Sequence, residues 1–301
     1  MRSGHRLTLT FALLLAIACG SPAPTDRAAG PAASPLPSQL PAPSAPSASP
    51  SPSARPHVFV IVMENTSLVN ALGSPSIARL ASTYALAANY HSVAKPSLPN
   101  YLALTSGSTW GVSDDDYRAL PAGGIGAQLS AAGVRWRAYM EGLTVAGCIR
   151  SPRPYAVKHN PFAYYGGGCP ANVVPFEALD VDLAGDTPSF VWITPDLCHD
   201  GHDCDLIEAG PWLEGLIARI VASNAWREHG VIFVVWDEGD DAGRELVPLI
   251  VVTPGVTARR SGERYDHYSL LATVEDLFRL ERLGNAAAAR PLTDLLSPRT
   301  P

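Results

Sequence analysis

Five apolar runs rich in Val, Ile, Phe and Trp, at residues 57–63, 134–140, 190–193, 231–236 and 247–253, constrain the fold of this chain more than any other feature. They lack the strict alternation of a half-exposed strand, so they predict strands buried on both faces. Helical patterns at 74–86, 98–106, 125–132 and 211–224 lie between them, and another at 268–283 follows the last. Strands alternating with helices predict an α/β fold, with a mostly parallel central sheet flanked by helices on both faces. Residues 57–301 are enough for a single domain of this kind.

The segment ahead of that domain has a different composition. Arg2, His5 and Arg6 precede an apolar run at 7–18, which ends in Ala16-Ile17-Ala18-Cys19-Gly20. The run is shorter than the roughly 20 residues that span a bilayer, and small residues just before a cysteine suit signal-peptidase cleavage with lipid attachment there. Residues 1–18 therefore read as a lipoprotein signal peptide with Cys19 as the membrane anchor; an ordinary secretory signal would leave export unchanged. Residues 19–56 are almost wholly Pro, Ala and Ser and cannot bury enough apolar surface to offset chain entropy, so a disordered linker is expected. Extended, it reaches up to roughly 100 Å. The expected location is the outer side of the cytoplasmic membrane or the cell envelope, with the domain tethered or released. In such an oxidising place Cys148, Cys169, Cys198 and Cys204 predict two disulfides, and sequence proximity pairs 148 with 169 and 198 with 204. Zinc ligation is the alternative, disfavoured by the lack of any CxxC pair. A net charge of −6 without a basic run argues against a nucleic-acid partner, and a monomer is expected.

In mostly parallel sheets, ligands bind beyond the carboxyl ends of the strands. Polar residues gather there: Glu64-Asn65-Thr66-Ser67, Thr194-Pro195-Asp196 and Asp237-Glu238-Gly239-Asp240-Asp241 each follow an apolar run. Glu64, Asn65, Asp237 and Glu238 supply hard oxygen ligands for a divalent ion, and such a set accepts Ca, Mg, Mn, Fe or Zn. Each pair alone also reads as a turn or cap. The segment Lys95-Pro96-Ser97-Leu98-Pro99-Asn100-Tyr101 puts a serine at the mouth of a helix. It is an N-cap by default, yet a helix N-terminus also suits a phosphoryl group, and a nearby metal would activate the serine. Asn100, one turn on, could donate its amide to a phosphoryl oxygen. The run 196–204 holds His199, His202 and three aspartates and reads as a metal or acid–base loop, or as a surface loop pinned by a disulfide. Lone histidines at 159 and 267 are more often caps or hydrogen-bonded surface residues than ligands. Loops 113–117 and 146–165 carry no readable specificity code.

These residues resemble a known family. Glu64-Asn65, Pro96-Ser97-x-Pro99-Asn100-Tyr101-Leu102-Ala103-Leu104, Lys158-His159-x-Pro161, Pro195-x7-Asp203, Trp236-Asp237-Glu238 and His267-Tyr268-Ser269 occur in the order seen in the phosphoesterase family of bacterial phospholipases C and acid phosphatases. The likeness spans 57–285 and is nearest the secreted acid phosphatases of bacteria and fungi, within the alkaline phosphatase-like superfamily. It implies that Ser97 is the nucleophile, that Glu64, Asn65, Asp237 and Glu238 hold a catalytic ion with Ser97, and that His159 and His202 line the phosphate pocket. A phosphoseryl intermediate on a small phosphorylated substrate is expected. His199 departs from the family's usual Asn-Asp-x-His-Asp pattern and leaves the proton donor open among His159, His199 and His202. Two-zinc relatives imply a possible second site at Asp196, His202 and His267, although a single ion suits the Glu64-Asn65 pair better. A phosphomonoesterase is expected. A phospholipase C-type phosphodiesterase is the alternative, and a non-catalytic anion-binding module a more distant one.

Overall fold

The computed structural model describes residues 55–144, 147–240, 245–256 and 258–296. The expected signal peptide, Cys19, the linker through residue 54, Ala146 of the second pocket-wall loop and Asp241 of the acidic run lie outside the described residues.

Nine strands form one sheet among the described residues. They are β1 (His57–Met63), β2 (Ala85–His91), β3 (Trp136–Met140), β4 (Val173–Pro175), β5 (Phe190–Thr194), β6 (Gly230–Trp236), β7 (Leu246–Val252), β8 (Arg259–Ser261) and β9 (Tyr265–Asp266). Their order is β4-β3-β5-β1-β6-β7-β2-β8, with β9 also on β2, and β7 alone runs antiparallel to its neighbours. Every residue of β5 and β6, and all but His57 of β1, is buried. Successive side chains of a strand point to opposite faces, so unbroken burial means that both faces are covered, as the apolar runs required. Each fully buried Val, Ile or Phe there contributes about 1.5–3 kcal/mol.

The covering helices include α1 (Leu68–Ala71), α2 (Pro75–Thr83), α3 (Ser97–Ser106), α4 (Gly124–Ala131), α5 (Ala178–Ala184), α6 (Leu206–Ala222), α7 (Asn224–His229), α8 (His267–Phe278) and α9 (Thr293–Leu296). Helices α2, α6 and α7 pack in one set, and α3, α4 and α8 in another. None is long and apolar enough to cross a membrane. Two expectations shift. The helix predicted over 74–86 stops at Thr83, and Ala85–His91 becomes β2, because pairing with β7 and β8 overrides the helix preference of its alanines. The helix predicted from Pro211 begins at Leu206, since Asp205 caps it by accepting from the amides of Ile207 and Glu208. Both disulfides form as sequence proximity predicted, Cys148–Cys169 and Cys198–Cys204.

Candidate active site

The parallel register pairs Met63 with Trp236, so Glu64 and Asp237 leave β1 and β6 side by side. The Asp237 amide donates to Met63 O at 3.0 Å, and the Glu64 amide to Asp200 O at 2.8 Å, which draws the loop after β5 onto the same edge. Asn65 turns the chain with φ of 50°, a left-handed conformation that asparagine tolerates, and its amide donates to Asp237 Oδ1 at 3.2 Å. Glu64 and Asp237 are fully buried, and Glu238 is nearly so.

Ser97 is the first residue of α3, and Pro96 occupies the N-cap. The Ser97 hydroxyl caps no helix amide; it donates to Glu64 Oε2 at 3.1 Å. The default reading of this serine as a cap is therefore replaced by a hydroxyl held against the acid cluster. The Leu98 amide at that helix mouth is taken by Asp115 Oδ1 at 3.0 Å. The expectation for Asn100 is corrected. Its Oδ1 accepts from the amides of Val93 (3.1 Å) and Ala94 (3.0 Å), and its Nδ2 donates to Ala94 O (2.8 Å) and Pro96 O (3.2 Å). Both amide hydrogens are spent on the turn that delivers Ser97, so none is left for a phosphoryl oxygen.

The His159 ring is buried and stacked on Tyr101 at 5.2 Å. Its Nε2 lies 3.1 Å from Glu64 Oε1 and its Nδ1 3.1 Å from Asp200 Oδ2, both outside hydrogen-bond angles. Burial, followed by the charges of Lys158 and His202, holds its pKa well below the ordinary imidazole value. His202 is partly exposed on the disulfide-closed loop, with Nδ1 2.9 Å from Asp203 Oδ1 and Nε2 3.1 Å from Lys158 Nζ. Lys158 Nζ also reaches Asp115 Oδ2 at 3.1 Å and Ser97 Oγ at 3.5 Å. Burial pulls that ammonium's pKa down, but Glu64, Asp115 and Asp237 outweigh it and leave the net shift upward.

The second site implied by the two-zinc comparison does not assemble. His267 is fully buried, with Nδ1 2.9 Å from Tyr90 Oη and Nε2 2.5 Å from Asp237 O, and burial lowers its pKa to about 4. Both ring nitrogens are engaged, so the ring fixes the Asp237 backbone and has no free ligand atom. Asp196 turns away to accept from the amides of Cys198 and His199, beside Glu141. His199 bonds Glu141 Oε2 at 2.9 Å and stacks on Trp212 at 4.9 Å, which removes it from the proton-donor question.

The acid cluster crowds carboxyl groups together away from water, which disfavours their ionisation. Burial raises Glu64 and Asp200 well above the ordinary carboxylate range, with neighbouring carboxylates adding to the effect. Asp237 is raised to about 6, by burial against two backbone hydrogen bonds. Glu238 reaches about 8, by burial and then the charge of Asp237. Glu64 Oε1, Asp200 Oδ2, Asp237 Oδ2 and Glu238 Oε2 are buried without hydrogen-bond partners. Orphaned hard oxygens that repel one another fit a divalent cation. Glu64, His159 and His202 also come close enough to offer ligand atoms to one ion. Beside them, Asn65 lines a cavity of about 340 Å³ with Thr66, Gly201 and Ile207. The residues to which sequence reasoning gave no individual role are Lys158, Asp115 and Asp200. Lys158 was visible only as the neighbour of His159, and Asp115 lay in a loop without a pattern.

Comparison with known proteins places this geometry. The family model described as the Phosphoesterase family matches residues 74–281. Over 249 residues the chain is 31% identical to the phosphatidylinositol-3-phosphatase of Mycobacterium tuberculosis, covering 79% of this chain and 82% of that protein. Over 247 residues it is 28% identical to the probable acid phosphatase of Kluyveromyces lactis, covering 75% of this chain and 59% of the yeast protein, so it spans about three-fifths of that relative. A solved member of the alkaline phosphatase superfamily from Vibrio parahaemolyticus shares the fold, with a TM-score of 0.57 at 12% identity over 82% of this chain and 71% of that one. With the family model matching well over half of its length, the chain belongs to the Phosphoesterase family and is a hydrolase of phosphoric ester bonds.

Proposed function

We propose that the chain is an exported, metal-dependent phosphomonoesterase that works through a phosphoseryl intermediate at Ser97. The observation that carries this reading is the Ser97 hydroxyl, which lies at a helix mouth 3.1 Å from Glu64 Oε2 and 3.5 Å from the Lys158 ammonium, without capping the helix. Glu64, Asn65, Asp237 and Glu238, with Ser97 itself, would hold a divalent ion of a class that includes Ca, Mg, Mn, Fe and Zn. Such an ion supplies charge neutralisation and a lowered hydroxyl pKa.

Ser97 Oγ forms the bond to phosphorus while its proton leaves along the hydrogen bond to Glu64, and the bond from phosphorus to the leaving oxygen breaks. Lys158 and the Leu98 amide offer donors to the non-bridging oxygens. His202 hands the leaving alcohol its proton, since it is the partly exposed histidine of the pair, whereas His159 is enclosed between Glu64 and Asp200. Water then cleaves the phosphoserine, giving its proton to His202 while Ser97 regains one from Glu64. His159, 3.1 Å from Glu64, lines the phosphate pocket.

The two disulfides and the acid phosphatase relative support an extracellular place, and residues 1–18, Cys19 and 19–56 are proposed as signal peptide, lipid anchor and tether of a monomeric enzyme. The names of the relatives favour a monoester over the diester of a phospholipase C. The test is turnover of p-nitrophenyl phosphate and its bis-ester by the purified chain, by Ser97→Ala and after chelation. Monoester turnover that vanishes in both latter cases is expected; near-normal activity in Ser97→Ala refutes the scheme.

A further inference from the structure

The donors that this reading assigns to the phosphoryl oxygens are engaged by the protein itself. One carboxylate takes both: Asp115 Oδ1 accepts from the Leu98 amide at 3.0 Å, and Asp115 Oδ2 from Lys158 Nζ at 3.1 Å. The same ammonium lies 3.5 Å from Ser97 Oγ. Two oxygens on one centre, sharing a negative charge and spanning these donors next to the nucleophile, reproduce what two non-bridging oxygens of a phosphoryl group would do there.

We propose that Asp115 is an internal stand-in for the phosphoryl group, holding the Leu98 amide and Lys158 in the free protein, and that a phosphate-bearing ligand enters by displacing it. The inference rests on the phosphoesterase reading of Ser97. The displacement is local. The Asp115 side chain is about one-third exposed (32%), so a change of rotamer carries the carboxylate into solvent. Its loop is fixed at both ends, where the Asn285 amide bonds Gly107 O and the Leu120 amide bonds Tyr164 O. The backbone therefore stays while the side chain turns. Substrate affinity is set by competition with this carboxylate, which favours a doubly charged monoester over a singly charged diester for the same donors.

The rival role for Asp115 is a cap supplied from outside the helix, since Pro96 at the N-cap has no side-chain acceptor. Inorganic phosphate separates the two. Its dissociation constant is measured by calorimetry on the full chain, with and without added divalent metal, and its inhibition constant against p-nitrophenyl phosphate, for wild type, Asp115→Asn and Asp115→Ala. Asp115→Ala is expected to bind phosphate roughly tenfold more tightly, the scale of one charge-assisted hydrogen bond released from competition. Asp115→Asn should gain less, because its Oδ1 still accepts from Leu98. Unchanged or weaker phosphate binding in Asp115→Ala overturns the proposal. Equal gains in Asn and Ala also overturn it, because they mark charge acting through space without occupancy. If wild type turns over monoesters and only these gains are missing, the stand-in alone falls. If wild type neither binds phosphate nor turns over an ester, the phosphoesterase reading falls with it.

Discussion

Replacing Asn100 by alanine separates two roles that the sequence leaves merged, a donor to substrate and a brace for the nucleophile turn. The side chain is fully buried and makes four hydrogen bonds of 2.8–3.2 Å, to the amides of Val93 and Ala94 and the carbonyls of Ala94 and Pro96. At a net contribution near 1 kcal/mol each, their loss costs about 3–4 kcal/mol. Alanine's better helix propensity returns less than about 0.7 kcal/mol. The net loss of about 3 kcal/mol corresponds to a fall in Tm of roughly 6–12 °C for a domain of this size. Differential scanning calorimetry beside steady-state kinetics reads both consequences. The expected result is that drop in Tm, together with a reduced kcat as Ser97 loses its fixed position. An unchanged Tm with a large rise in KM and in the phosphate inhibition constant would refute the brace and restore the amide as a ligand to substrate.

His267→Phe strips the Tyr90 hydroxyl and the Asp237 carbonyl of their partner, so it should lower stability by about 2–4 kcal/mol yet leave the number of ions bound at saturating metal unchanged by elemental analysis. Loss of one whole ion per chain would revive a ligand role. The pH dependence of stability carries a sign set by the acid cluster together with Glu275, which burial raises to about 7 and which acts in the same direction. Asp237 and Glu238 titrate at about 6 and about 8 when folded and near 4 when unfolded, so the folded state holds more protons in that window and loses stability as pH rises. His267 and His159 have lowered values and act oppositely, but only below about pH 6.5. Tm of the chelated protein is therefore expected to fall from pH 6.5 to 8, and added divalent ion to restore it. A flat or rising Tm under chelation contradicts the raised carboxyl pKa values.

Much of the fold is legible because burial on both faces writes itself into a strand. The runs that became β1, β5, β6 and β7 need no alternation, and their ends are fixed within a residue or two by the first carboxylate, threonine or proline that follows. β2 fails that test for a physical reason. Ala85-Leu86-Ala87-Ala88 has no local preference for a strand, and its conformation comes from two partners, β7 and β8, more than 150 residues away in the chain.

The site divides along the same line. Glu64-Asn65 and Asp237-Glu238 announce themselves because each pair directly follows a strand whose neighbour in the sheet is fixed by register, so the sequence dictates their meeting. Asn100, Lys158, Asp115 and His267 depend instead on where a turn or a loop tip comes to rest, and residue type does not encode that. An asparagine one helical turn after the serine fits a phosphate donor and a turn brace equally well until Val93, Ala94 and Pro96 are seen to use all of its polar groups. A histidine after an aspartate fits a metal ligand and a backbone prop equally well until Tyr90 and Asp237 claim its two nitrogens. In both cases the count of hydrogen-bond partners decides, because a buried donor already spent within the protein has nothing left to give a ligand. The same count makes Asp115 the exception: its partners are the very groups that a phosphoryl oxygen would need, so its bonds mark a place that must be vacated.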